Sequence, residues 1–170
     1  MTLKFIAETL NSIAAKRSAL GQLTFDQKGP HHLAHGIEAI RPQWKFSGVY
    51  VLTKPSAPEW NLDFKESDAE VWYVGMTASD IFQCMLRHFG PLLGNSPVAY
   101  GHRWTNGSAP PDIESCLAKG EVVLYPIEVR SSEPELTKKQ SGLLPGLVEK
   151  QLLVAYADRY GSLPPLNLSM

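Results

Sequence analysis

The sequence predicts an α+β fold: a small three-stranded antiparallel sheet flanked by helices, with an N-terminal helical extension. Three observations predict it. Two segments, Gly48–Leu52 and Val71–Gly75, are β-branched and aromatic, and a third apolar run covers Glu121–Val129. Segments around them carry apolar residues at helical spacing. The resulting order is helix, strand, strand, helix, strand, helix, which suits an antiparallel sheet with helices packed on it.

Each element has its own signals. Residues 3–20 predict an amphipathic helix, with Ile6, Leu10, Ile13 and Ala14 on one stripe and Gly21 after its end. Residues 21–46 read as irregular, punctuated by Gly29-Pro30, with a helical turn near Leu33–Ile40. The two strands follow, joined by a long connection containing Pro55, Pro58 and Asp63. A helix starts near Ser79 or Asp80, either of which is a good cap, and stops at Gly90-Pro91. Its stripe is Ile81, Phe82, Met85, Leu86 and Phe89. Residues 90–112 are rich in Gly, Pro and Asn and read as a long loop, followed by a short helix over Asp112–Lys119. Pro126 cannot donate to a ladder, so the third strand is expected at an edge or with a bulge. The last helix is expected from Pro145 or Gly146 to Tyr160, ended by Gly161 and Pro164-Pro165. The division expected is a helical extension over 1–45 and one domain over 46–170.

Composition excludes several classes. The chain has 170 residues, 44% hydrophobic and 19% charged, enough for one domain with its own core. Net charge is −1, so a nucleic-acid ligand needs a local basic patch. Residues 1–54 hold seven Lys and Arg against three Asp and Glu, or +4, which leaves −5 for the remainder. Cys84 and Cys116 are the only cysteines, too few for a disulfide scaffold, and a reducing cytoplasm is expected. No apolar run approaches the roughly 20 residues of a membrane span, and the N-terminus lacks signal-peptide character.

Two features point to chemistry. Strand residues two apart share a face, so Gly48, Tyr50 and Leu52 point one way, as do Val71, Tyr73 and Gly75. Pairing Tyr50 with Tyr73 sets Gly48 opposite Gly75 and leaves two phenols beside a floor without side chains. Such a floor suits a phosphate; two core tyrosines with satisfied hydroxyls are the plainer reading. In the last helix Glu149, Leu152, Leu153 and Tyr156 follow i, i+3, i+4, i+7, so a carboxylate lies on the apolar stripe. A buried carboxylate needs a cation, hydrogen-bond donors or a raised pKa.

Ser47-Gly48-Val49-Tyr50 followed by Tyr73-Val74-Gly75 resembles the paired signature of the GIY-YIG nuclease superfamily. The resemblance runs on through a helix, a third strand, the helix bearing Glu149 and the closing Pro164-Pro165-Leu166-Asn167. It implies a three-stranded sheet flanked by helices and hydrolysis of a DNA phosphodiester bond with one divalent metal, Mg2+ or Mn2+. RNA stands as the other substrate. In that scheme Tyr50 helps activate the attacking water, Tyr73 orients water or phosphate, Glu149 holds the metal, and Asn167 ties the site together. These residues are expected to meet around one pocket.

The match departs from the family's pattern at the cation. The family carries an arginine on the helix after the second triplet, at the position held here by Gln83. Arg87 comes one turn later and is taken as the phosphate-binding cation, with His88 as a proton acceptor. His102-Arg103-Trp104, in the long loop, is the other source of an arginine. His31, His32 and His35 have no accompanying carboxylate or thiolate cluster, which argues against a metal site there. The opposing function is a catalytically inactive module of the same fold that binds nucleic acid or a protein partner. Cutting both strands would call for a homodimer or two sequential events.

Overall fold

The computed structural model describes residues 2–18, 20–33, 44–55, 67–89, 109–133 and 136–167. The elements are α1 (Leu3–Ala14), β1 (Arg17–Ser18), β2 (Gly21–Gln27), β3 (His31–His32), β4 (Gly48–Thr53), β5 (Val71–Thr77), α2 (Ile81–Phe89), α3 (Pro111–Ala118), β6 (Val123–Ser131) and α4 (Lys138–Tyr160). The fold is α+β with an antiparallel sheet, as expected. The sheet is larger than three strands: its order is β1-β2-β6-β4-β5, with β3 also paired to β6.

The N-terminal region is therefore not a helical extension. Residues 17–32 supply three strands to the same sheet, and α1 buries Leu3, Ile6, Ala7, Leu10 and Ile13 in the same core. The helix ends at Ala14, short of Gly21, because that glycine serves a different turn. Its φ of +80° lies where β1 folds back on β2, with Ser18 paired to Gly21. The alternation of Leu23 and Phe25 with Thr24 and Asp26 is the signature of β2, whose burial alternates over the same residues. The helical turn expected near 33–40 lies mostly outside the described residues.

Strand β6 is central rather than at an edge. It pairs with β4 on one side and with β3 and β2 on the other. Pro126 is accommodated because β3 pairs only with Val123 and Leu124, and β2 begins pairing at Ile127. The missing N–H thus falls at the gap between two partner strands, while the Pro126 carbonyl accepts from Lys28 N at 2.8 Å.

Helix α4 starts well before Pro145. Thr137 and Gln140 form a capping box, each side chain bonded to the other's backbone N–H. Gly161, at φ 73°, closes the helix in the left-handed conformation and donates to the Ala157 carbonyl. The side chain of Asp80 caps α2 by accepting from Gln83 N at 3.2 Å.

Two apolar clusters lie on the two faces of the sheet. Val49, Val51, Val74, Tyr125 and Ile127 pack against α1 and α4. Tyr50, Leu52, Tyr73 and Leu124 pack against α2 and α3. No helix among the described residues is long and apolar enough to cross a membrane.

Candidate functional site

The register of β4 on β5 differs from the expected one by two residues. Tyr50 faces Gly75, Gly48 faces Thr77, and Leu52 faces Tyr73. A shift of two preserves the side-chain face, so the tyrosines still share one. They become diagonal neighbours, with ring centroids 5.8 Å apart. The expected glycine pair does not form. Gly48 is needed for the approach of β6: a Cβ there would sit 2.1 Å from the Ile127 carbonyl oxygen. Gly75 does not leave an open floor, since the phenols themselves fill its space. A Cβ at Gly75 would meet Tyr73 Cε1 at 2.4 Å, Tyr50 Cζ at 2.6 Å and Tyr50 Oη at 2.7 Å.

Helix α2 completes this cluster. Cys84, 3% exposed, points its Sγ at the Tyr50 hydroxyl, 3.8 Å away. Arg87 lies one turn further on, exposed on its outer side, and its positive charge acts on the Cys84 thiol. Residues three apart on a helix are surface neighbours, which is how an arginine off the apolar stripe reaches the site. Cys84 is not among the site residues expected from the sequence; its place one turn before Arg87, beside the apolar stripe of the same helix, is the signal that points to it.

Burial, with Tyr73 and Cys84 beside it, pushes the Tyr50 phenol well above its ordinary range. Burial also raises the Cys84 thiol, against the lowering effects of its bond to Tyr50 and of the Arg87 charge. Tyr50 is 1% exposed and Tyr73 6%, so both rings are core residues as well as site candidates.

Asn167 acts on the same edge strand. Its side-chain oxygen accepts from Val74 N at 2.9 Å, and its amide donates to Val74 O at 2.7 Å. Leu166 N donates to the Trp72 carbonyl at 2.9 Å. The closing segment thereby satisfies the outer edge of β5, which otherwise presents unpaired backbone groups.

Glu149 is carried by a different helix from Cys84 and Arg87. It is half-buried on α4, and α4 packs on the opposite face of the sheet, where Leu144, Val148, Leu152 and Leu153 join Val49, Val51 and Val74. The glycines of α4 lie along β5, Gly142 against Ala78 and Gly146 against Met76. Glu149 follows one turn later. The helix that carries Glu149 and the helix that covers the phenols thus pack on opposite faces of the sheet. The parity of the strand sends Tyr50 and Tyr73 one way while the stripe of α4 docks on the other.

The remaining candidates divide. His88 belongs to α2 by its backbone, and its side chain lies outside the described residues, as do His35, His102, Arg103 and Trp104. His31 and His32 sit on strand β3, and the His31 ring meets Trp44 edge-on with centroids 5.1 Å apart. Among the described residues no three His, Cys, Asp or Glu side chains gather as a metal cluster. Magnesium is often held by only one or two carboxylates, with substrate phosphate and water completing its shell. No family model, curated protein or solved structure matches the chain significantly.

Proposed function

We propose that this chain is a divalent-metal-dependent endonuclease that hydrolyses a phosphodiester bond of DNA along the rim of strand β5. The observation that carries the reading is the cluster over Gly75: two phenols in contact, with the Cys84 thiol at the Tyr50 hydroxyl and Arg87 one turn on along the same helix. Phosphodiester hydrolysis calls for positioned hydrogen bonds and neutralised charge, and these side chains offer both. Arg87 would neutralise the phosphate. Tyr73 would orient the phosphate or the water. Tyr50 keeps its proton at neutral pH, because burial disfavours the phenolate. It acts as a base only where a cation stabilises that phenolate. Glu149 would hold Mg2+ or Mn2+, which when bound supplies positive charge and orients the phosphate. Asn167 fixes the edge strand that carries Tyr73. Cutting both strands would take a second copy of the chain or two sequential events.

A second reading, a catalytically inactive module that binds nucleic acid or a protein partner, is favoured by two observations. The Tyr50 side chain is 1% exposed, and Glu149 comes from the opposite face of the sheet.

One assay separates the two. The protein is incubated with supercoiled DNA, linear DNA and RNA, with Mg2+ or Mn2+, at low salt where phosphate contacts are strongest. The nuclease reading expects cleavage that Glu149→Ala abolishes. Binding without cutting of any substrate establishes the inactive module. Comparing Arg87→Ala with Arg103→Ala locates the cation: loss of cleavage in the first supports the Arg87 assignment, and loss only in the second removes it.

A further inference from the structure

Cys84 has no counterpart among the residues that the nuclease resemblance implies, yet it occupies the middle of the cluster. Its Sγ donates toward Tyr50 Oη at 3.8 Å. Arg87, one turn on along the same helix, acts on the thiol through its charge. The Tyr50 and Tyr73 rings lie with centroids 5.8 Å apart, closed over Gly75. Four side chains from two strands and one helix thus follow in the order Tyr73, Tyr50, Cys84, Arg87, with the thiol at the Tyr50 hydroxyl.

We propose that Cys84 is the positioning residue of the Tyr50 phenol: its thiol, within hydrogen-bond reach of the Tyr50 hydroxyl on the helix that also carries Arg87, fixes where that hydroxyl points. This rests on the nuclease reading of the same cluster. A thiol suits the position because it is small and tolerates apolar surroundings, yet can both donate weakly and accept. Burial leaves it protonated and keeps it a donor to the phenol. A phenol that swings away from its partners has no defined relation to a bound phosphate, and small misplacements of such groups cost rate steeply.

Packing and positioning predict opposite orders for two substitutions. Cys84 is almost fully buried among Ile81, Phe82 and Met85. If it only fills space, Cys84→Ala is the milder change, because it adds no polar atom to the core. If its bond to the phenol matters, Cys84→Ser is milder, because a hydroxyl keeps a donor for Tyr50. Purified wild type and both variants are assayed for DNA cleavage with Mg2+ across pH, and thermal melts verify folding. The expected result is a kcat loss on the order of tenfold or more in Cys84→Ala with KM little changed. Cys84→Ser retains most of the rate, with a shifted pH profile. Cleavage by Cys84→Ala equal to or better than that by Cys84→Ser overturns the assignment.

A second measurement keeps the inference separate from the nuclease reading. Tyrosine labelled with 13C at Cζ gives one resonance per residue, and the Tyr50 signal is identified by its loss in Tyr50→Phe. The proposal expects this resonance to move in Cys84→Ala and to return toward its original position in Cys84→Ser. If wild type cuts nothing while the resonance behaves in this way, the nuclease reading fails and the coupling of thiol to phenol stands. An unmoved Tyr50 signal in Cys84→Ala overturns the coupling, whatever the protein cleaves.

Discussion

Gly75 has no side chain because two phenol rings already occupy the space where one would go. The nearest ring atoms would lie 2.4 and 2.6 Å from a Cβ, closer than any Cβ contact tolerates. Tyr50 is fully buried and packed against Phe82 and Leu52 in the same cluster, so it has little room to withdraw. Gly75→Ala is accordingly expected to destabilise by about 1–3 kcal/mol, the usual cost of overpacking a dense core. It should also separate the Tyr50 and Tyr73 rings. Denaturant titration measures the first effect and the ring-to-ring nuclear Overhauser contact the second. A wild-type midpoint with the contact intact would show that the cluster yields more readily than its geometry states.

Among the elements, β5 depends most on what covers its outer edge. An uncovered edge strand invites pairing with other chains. Here a single amide at Asn167 replaces a strand, supplying one acceptor and one donor to the same residue, Val74. Asn167 is 7% exposed, so removing its amide leaves a buried N–H and a buried C=O without partners. Asn167→Ala should cost about 2–4 kcal/mol, from two lost bonds and the desolvation they compensated. Asn167→Asp should be no better near neutral pH, since a carboxylate can accept from Val74 N but cannot donate to Val74 O, and its charge is buried. Hydrogen exchange at Val74 reads the effect directly: protection of that amide should fall in the alanine variant. Unchanged protection there would mean that the edge is held by the Leu166–Trp72 bond and by packing instead.

Over the whole molecule, the buried phenols tie stability to alkaline pH. Burial raises Tyr125, on β6, to about 12, and it raises Tyr50 and Tyr156 as well. In the unfolded chain tyrosines release their protons near pH 10. Between these values the unfolded state binds fewer protons than the folded one, so stability falls as pH rises. The contribution of Tyr125 is complete below about pH 10 and is lost as pH climbs through about 12. Comparing Tyr125→Phe with wild type isolates this from the titration of lysines. The gap between their denaturation midpoints should change across pH 10–12, with wild type losing more. A constant gap over that window would contradict the assignment.

The sequence by itself determined the strands that carry Tyr50 and Tyr73, the helix that carries Glu149, and the common face of the two phenols. Each of these depends on local periodicity, and a register slip of two leaves the face unchanged. The α+β class followed from the same periodicities. The cap at Asp80 and the stop at Gly161 follow from local backbone chemistry and were legible too. Tertiary structure alone decided the rest. Pairing sets Tyr50 opposite Gly75, because β6 must approach Gly48 closely on the other side of β4. It makes residues 17–32 part of the sheet and places Pro126 inside it, at a gap between two short partners. It sends α2 to one face and α4 to the other, and so brings Cys84 to the Tyr50 hydroxyl. Contacts between segments far apart in the chain fix all of these, and a one-dimensional pattern says which face a residue takes on its own element but not which element covers that face.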